Sequence, residues 1–247
     1  MGIIALIYSV VVYLMFFASF LYLIVFMGGE MTSFIAAPKT IDAGASPVAG
    51  PAALINIGLL LLFAVQHSVM ARWGFKKALI KFLPSAFERS TYVLLTVVVL
   101  VLLFSYWQPM PAVVWSVDAP LWSGLLTALY FAGIGLVLLS TFMINHFELF
   151  GLLQGWLGFK KKEPSAPVFG TPYLYKYIRH PLYLGFLLAF WSTSHMTVGH
   201  LLFASIWTAY IFVAIGYEER DLIAVFGDKY HDYMAKVPAI LPFGGGK

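Results

Sequence analysis

Residues 3–27 read IIALIYSVVVYLMFFASFLYLIVFM, an uninterrupted apolar run without one charged side chain. About 20 helical residues cross the roughly 30 Å hydrocarbon core of a bilayer, so this stretch decides the fold class. It exceeds the roughly 7–15-residue apolar region of a secretory leader and has no basic residues ahead of it, which makes it a retained membrane helix. Similar runs follow near 52–70, 91–107, 121–145, 182–197 and 200–217, the last two short and separated by Thr197-Val198-Gly199. The expectation is an all-α integral membrane protein of five or six transmembrane helices.

Composition agrees. The chain is 61% hydrophobic and only 11% charged, against about a quarter charged in soluble domains. It has no cysteine, which excludes disulfides, thiolate metal sites and a cysteine nucleophile, so any thiol chemistry must involve a substrate thiol. The net charge of +4 is small and its basic residues lie in loops; a lipid bilayer is the expected partner and nucleic acid is not.

The basic residues set the orientation. Arg72, Lys76, Lys77, Lys81 and Arg89 follow the second run; Lys160, Lys161, Lys162, Lys176 and Arg179 follow the fourth; Arg220, Lys229, Lys236 and Lys247 lie in the tail; Lys39 alone remains for the other side. Six crossings then put both termini in the cytoplasm and loops 28–51 and 108–120 outside. Five would export the tail unless 182–217 dips in and returns. Loop 28–51, with Pro38, Gly44, Pro47, Gly50 and Pro51, reads as an irregular outer connection. Beyond 217, Leu222, Phe226, Tyr230, Tyr233 and Val237 recur at helical spacing opposite Asp221, Asp228 and Asp232, the pattern of an amphipathic helix at the membrane surface.

Four polar clusters interrupt this apolar background, each beside the end of a run and all on the cytoplasmic face of the six-crossing topology. Ionisable groups at such depth are costly and mark functional sites. His67 and Arg72 close the second run; Asn145, His146 and Glu148 follow the fourth. The two imidazoles can accept a proton near neutral pH, and with Arg72 and Glu148 they form the candidate catalytic set. No histidine pair has i, i+4 ligand spacing, and no metal is expected. In Arg179-His180-Pro181 the proline suits the first position of a helix and His180 its cap, making an anion site beside Arg179. Glu218 and Glu219 can take ribose hydroxyls, a cation or an arginine. His195, His200 and His231 read as structural.

Tyr175, Arg179-His180-Pro181-Leu182-Tyr183-Leu184-Gly185, Glu218-Glu219, Leu222, Phe226-Gly227, Tyr230, Tyr233, Val237 and Pro242 together resemble the isoprenylcysteine carboxyl methyltransferase family. The resemblance covers about residues 165–243 and implies a cytosol-facing S-adenosylmethionine pocket contacted by Tyr175, His180, Pro181, Leu182, Tyr183 and Glu218, with Arg179 and Glu219 beside them. The family's prenyl-substrate enzymes carry an arginine four residues before the cofactor-binding glutamate. Ala214 stands there, which argues against a prenylcysteine carboxylate. Along nearly the whole chain, Gln66-His67-Ser68-Val69-Met70-Ala71-Arg72, Glu88-Arg89-Ser90-Thr91-Tyr92, Asn145-His146-Phe147-Glu148-Leu149-Phe150-Gly151-Leu152 and His195-Met196-Thr197-Val198-Gly199-His200 resemble the bacterial methanethiol S-methyltransferases; the first segment is also similar to the NnrU-like membrane proteins.

The resemblance implies one methyltransferase domain over 1–247 in a bacterial inner membrane, with substrate-side helices in 1–164 and the S-adenosylmethionine-binding region in 165–243. The expected reaction is direct methyl transfer to a small volatile thiol, methanethiol to dimethyl sulfide. An ordinary cysteine thiol has a pKa of about 8.5, so an alkyl thiol needs activation, by His67 or His146 as base and Arg72 as a cationic neighbour. The alternatives are a methyltransferase for a larger lipid-like or prenylated thiol and a non-catalytic NnrU-like membrane protein.

Overall fold

The computed structural model describes residues 1–43 and 49–241; Gly44, Pro47 and Pro242 lie outside these. Among the described residues five helices are long and apolar enough to cross a membrane: α1 (Gly2–Gly28), α2 (Ala49–Ala71), α4 (Ser85–Tyr106), α5 (Pro120–Ile144) and α9 (Val198–Phe226). Between them lie α3 (Trp73–Leu79), strand β1 (Val113–Ser116), α6 (His146–Leu149), α7 (Leu152–Lys160), α8 (Pro181–Trp191) and strand β2 (His195–Thr197), with α10 (Asp228–Lys236) last. This is an integral membrane protein, helical but for the one β1–β2 pair among the described residues.

The chain divides into two compact units that interleave along the sequence: 1–115, 145–165 and 195–203 in the first, 116–144, 166–194 and 204–247 in the second.

In the first unit α4 packs against α1 and α2, and α7 lies across α1 and α4. The contacts of α7 with α1 and with α4 depend on missing side chains. A Cβ on Gly155 would stand 2.1 Å from Ser9 Oγ, and one on Gly158 2.7 Å from the Ala86 Cβ. Between apolar helices in lipid, such close backbone approach is a main source of association. The other side of α1 presents exposed Ile7, Leu14 and Phe17, as a lipid-facing surface must. Asn56, fully buried in α2, donates from Nδ2 to the Gln108 carbonyl at 2.7 Å and accepts from Gln108 N at 2.8 Å.

The described part of the connection after α1, residues 29–43, is held by specific hydrogen bonds. A 3-10 turn spans Gly29–Thr32, Ile41 N bonds back to Phe26 O, and Trp107 Nε1 donates to Ile41 O at 3.0 Å. Thr197 donates its hydroxyl hydrogen to Asp42 Oδ1 and accepts from His200 N at 3.1 Å. Burial raises the Asp42 carboxyl above its ordinary range, while the Thr197 bond and His200 and His195 oppose the rise.

In the second unit α8 runs antiparallel to α5, joined at Gly133 and Gly185. A Cβ on either would come within 2.7 Å of the other glycine's carbonyl oxygen. The expected membrane helix over 182–197 is therefore corrected. Only eleven residues are helical, about 16 Å at 1.5 Å per residue, and the return along α5 is finished by an extended segment that brings Ser194 O to Val117 N at 2.8 Å. Serines and threonines at 192–194 end the helix where the apolar run continued in composition only. Within the first unit β2 pairs with β1, and Val198 N and Gly199 N bond to Ala112 O and Met110 O. These bonds satisfy backbone groups that an irregular segment could not leave bare in lipid.

The tail also departs from expectation. Residues 218–226 are not the start of a surface helix but the last turns of α9, which runs on to Phe226. Gly227, at φ 56, breaks it, and the amphipathic helix proper is the nine-residue α10.

Candidate active site

The second unit gathers most of the residues expected to hold a cofactor. Pro181 is the first residue of α8 and His180 its N-cap, as expected, but the imidazole makes no cap hydrogen bond. Buried to 4% exposure, it turns to α9, with Nε2 3.0 Å from Glu219 Oε1 and Nδ1 3.8 Å from Glu218 Oε2. Arg179 Nε donates to the same Glu219 oxygen at 2.8 Å, and its Nη1 donates to Met234 O and Val237 O at the end of α10. Backbone bonds from Arg179 N to Pro238 O and from His180 N to Ala239 O, both 2.9 Å, tie the same strand of tail. Arg179 and Glu219 are thus the clasp that holds the tail and sets the imidazole.

Glu218 points differently. Its side chain is 46% exposed, against 13% for Glu219. Tyr183, one turn into α8, has its ring 5.5 Å from that of His180. Tyr175 lies in a 3-10 turn, Tyr173–Lys176, and its carbonyl accepts from the Tyr233 hydroxyl. Burial raises the Tyr175 hydroxyl pKa, and the Glu218 carboxylate and Tyr233 add to the rise; burial likewise pushes Tyr233 up to about 12. Tyr175, Tyr230 and Tyr233 are therefore neutral at physiological pH. Phe169 packs on Phe226, Tyr230 and Tyr233, so the segment before Tyr175 is anchored too. Leu182 and Tyr183 carry first-turn N–H groups that precede the first bond of the α8 ladder, Leu184 N to His180 O.

All four residues of the expected catalytic set lie in the first unit, where the two imidazoles border one cluster and Arg72 and Glu148 are engaged elsewhere. The Tyr92 hydroxyl lies 2.8 Å from His67 Nε2 and 3.0 Å from Nδ1, and Phe63 stacks on the same ring at 5.1 Å. The Arg89 guanidinium sits 4.9 Å over the Tyr92 ring and donates to Leu149 O at 2.7 Å. Tyr92 belongs to a buried cluster with Val12, Met70 and Val93, against which Phe150 packs. His146 meets Phe150 edge-on at 4.9 Å and holds the Tyr13 hydroxyl at 2.8 Å from Nε2. Both imidazoles therefore border one apolar cluster. Burial lowers the His146 pKa.

Arg72 is the residue between α2 and α3, donating from Nε to Ser68 O at 3.3 Å. Glu148 is exposed and engaged locally. Asn145, at φ 136, caps α6 by accepting from Glu148 N and donating to Glu148 Oε2 at 2.8 Å. Gly151, at φ 88, lets this turn lie on α4, where a Cβ would meet Ser90 Oγ at 2.5 Å. Sequence reasoning passed over Tyr13 and Met234 and gave Tyr92 no role, because their partners lie on other elements; the available signal was a tyrosine inside an otherwise aliphatic run.

Residues 55–228 match the NnrU protein family. The chain is 50% identical over 240 residues to methanethiol S-methyltransferase 1 of Bradyrhizobium diazoefficiens, covering 97% of this chain and 82% of that one. It is 48% identical over 237 residues to the methanethiol S-methyltransferase of Mycobacterium tuberculosis, covering 96% and 95%. The chain belongs to the methanethiol S-methyltransferase group of the NnrU family. Nurim of Xenopus laevis is a more distant relative, 34% identical over 168 residues, covering 64% of this chain and 58% of its own length. No solved structure matches the chain. The NnrU match runs from α2 to the start of α10 and leaves out α1, whereas the methyltransferase relatives extend over α1 and so over Tyr13, the partner of His146.

Proposed function

We propose that this chain is an S-adenosylmethionine-dependent thiol S-methyltransferase that converts methanethiol to dimethyl sulfide in a bacterial inner membrane. The observation that carries this reading is identity near 50% along almost the entire chain to proteins named for that activity.

The residues of the second unit suit such a donor by their chemistry. Glu218 offers an accessible carboxylate to a ribose hydroxyl or an ammonium group, and Tyr175 and Tyr183 offer aromatic faces that attract a sulfonium by about 0.5–2 kcal/mol. The N–H groups of Leu182 and Tyr183, after Pro181, favour a carboxylate. His180, Arg179 and Glu219 fix these elements relative to one another. When bound, S-adenosylmethionine supplies an electrophilic methyl group. On the thiol, His67 or His146 takes the proton, Arg72 stabilises anionic charge, and Glu148 holds the Asn145 cap that orients His146. The apolar cluster around Tyr92 and Phe150 excludes water, which raises the nucleophilicity of a desolvated thiolate. Methanethiol reaches such a site from the bilayer.

The orientation proposed is the one that puts the basic segments inside. With α8 and its extended continuation counted as a crossing, both termini are cytoplasmic, and the charged donor enters from the cytosol.

The test is made on detergent-purified protein given S-adenosylmethionine and methanethiol, with headspace dimethyl sulfide read by gas chromatography. Product that requires both substrates is expected, and Glu218→Gln is expected to raise the KM for S-adenosylmethionine about tenfold or more, as loss of a charged hydrogen bond would. An unchanged donor KM removes Glu218 from the site. Absence of product from a protein that binds the donor removes methanethiol as acceptor.

A further inference from the structure

Gln66 precedes His67 in α2, inside a span whose neighbours Phe63, Ala64, Val65, Val69 and Met70 are apolar. Its Nε2 donates to Met70 Sδ at 3.2 Å, and a thioether is a weak acceptor. Its Oε1 is buried, and no donor among the described residues reaches it. A buried carbonyl without a donor forfeits its hydration and gains nothing in return. A methionine of similar length would fill the same space without that cost. Met70 in turn belongs to the buried cluster with Val12, Tyr92 and Val93, and the Tyr92 hydroxyl is the group that holds His67. A polar acceptor is therefore held open at the edge of an apolar cluster that also carries an imidazole.

We propose that Gln66 Oε1 is the recognition point for the acceptor substrate: it accepts a hydrogen bond from the S–H of a small neutral alkyl thiol whose carbon end packs on the apolar residues beside Met70. The inference rests on the thiol methylation reading above and names the group that receives the thiol. It also separates substrate from product, because a dialkyl sulfide has no S–H to donate. A thiolate has none either, so the contact exists only before deprotonation and is lost ahead of methyl transfer. Loss of an interaction confined to the ground state raises KM and kcat together and leaves kcat/KM little changed. Gln66 is on this account a positioning residue.

The experiment compares full-length wild type, Gln66→Met and Gln66→Glu in detergent, with KM measured separately for methanethiol and for S-adenosylmethionine, kcat from dimethyl sulfide release, and thermal stability on the same samples. In Gln66→Met the KM for methanethiol should rise about three- to tenfold, the loss of one weak hydrogen bond. The donor KM should hold, and Tm should be equal or a few degrees higher because a buried unsatisfied group is gone. Inhibition by added dimethyl sulfide should strengthen relative to methanethiol binding. Gln66→Glu, whose neutral carboxyl keeps a carbonyl acceptor in the apolar span, should return the thiol KM towards wild type. An unchanged thiol KM in Gln66→Met overturns the proposal, and so does a lower Tm with both KM values raised, which would mark Gln66 as structural. A wild type that binds S-adenosylmethionine yet makes no dimethyl sulfide fails at an earlier step, before any variant is compared, and identifies the acceptor reading as the error.

Discussion

His67 and His146 are each held by one tyrosine hydroxyl from another helix, Tyr92 and Tyr13, and each borders the same apolar cluster. If one of them takes the thiol proton, replacing it by glutamine lowers kcat by about 10²–10⁴-fold, the usual worth of a general base, while the other variant retains most of its rate. Two variants that fold and turn over at the wild-type rate would exclude both. The pH profile separates them further. Burial depresses the His146 pKa, so the folded state disfavours its protonated form. Its contribution to stability is complete above the ordinary value of about 6.5 and is lost as pH falls from there through the depressed value. With His146 as the base, kcat/KM in buffers from pH 5 to 8 stays flat through 6.5 and falls only below it; a fall centred above 6.5 assigns the role elsewhere. Much of the candidate site was legible at this scale because ionisable residues are scarce in this chain and stand out. The roles were harder to read. Arg179 looked like an anion-binding residue, but the acceptors that engage it, Glu219, Met234 O and Val237 O, lie 40 or more positions away.

At the scale of elements, α1, α2 and α5 were readable to within about three residues because length and apolarity suffice for them, whereas α4 begins six residues before its apolar run and α9 ends nine residues after its own. The fifth run was not readable in this way. The run over 182–197 has the composition of a span, but its path depends on a glycine in α5 and on backbone partners at 110–117 that leave no periodic trace. Gly133 and Gly185 make that crossing possible, and Gly133→Val or Gly185→Val forces apart backbones already in contact. Overpacking costs about 1–3 kcal/mol when neighbours can shift, and here the obstruction is backbone, so the upper end applies. Gly124→Ala in the same α5 meets nothing within 4 Å and should be neutral or slightly stabilising. Thermal unfolding in detergent by intrinsic fluorescence checks the pair; equal midpoints for Gly133→Val and Gly124→Ala would deny the α5–α8 contact its importance.

For the molecule as a whole, the sidedness rests on fourteen basic residues in three segments against Lys39 alone. Because the chain has no cysteine, single cysteines can be added to an unmodified background. Lys77→Cys, Glu163→Cys and Asp232→Cys, all at exposed positions, should resist an impermeant maleimide on intact cells and react after lysis, whereas Asp118→Cys should react on intact cells. Labelling of Asp232→Cys from outside would reduce the protein to five crossings and export its tail. Such a result would also take Glu218 and the α10 clasp away from any cytosolic donor.

The half-helical return of residues 181–194 constrains how the protein can be made. A nascent helix of eleven residues is too short to be released into lipid as an independent stop-transfer segment, and the extended residues that follow would carry bare peptide groups into oil. Their partners around β1 are synthesised about eighty residues earlier. This part of the chain can therefore settle only after β1 has been delivered and kept available, and α9, which is long enough to insert unaided, must wait for it or pull it in. Biogenesis of this protein is consequently ordered from its middle outward, and lesions near 110–117 should be met first by quality control at the translocon, before any loss of catalysis can be observed.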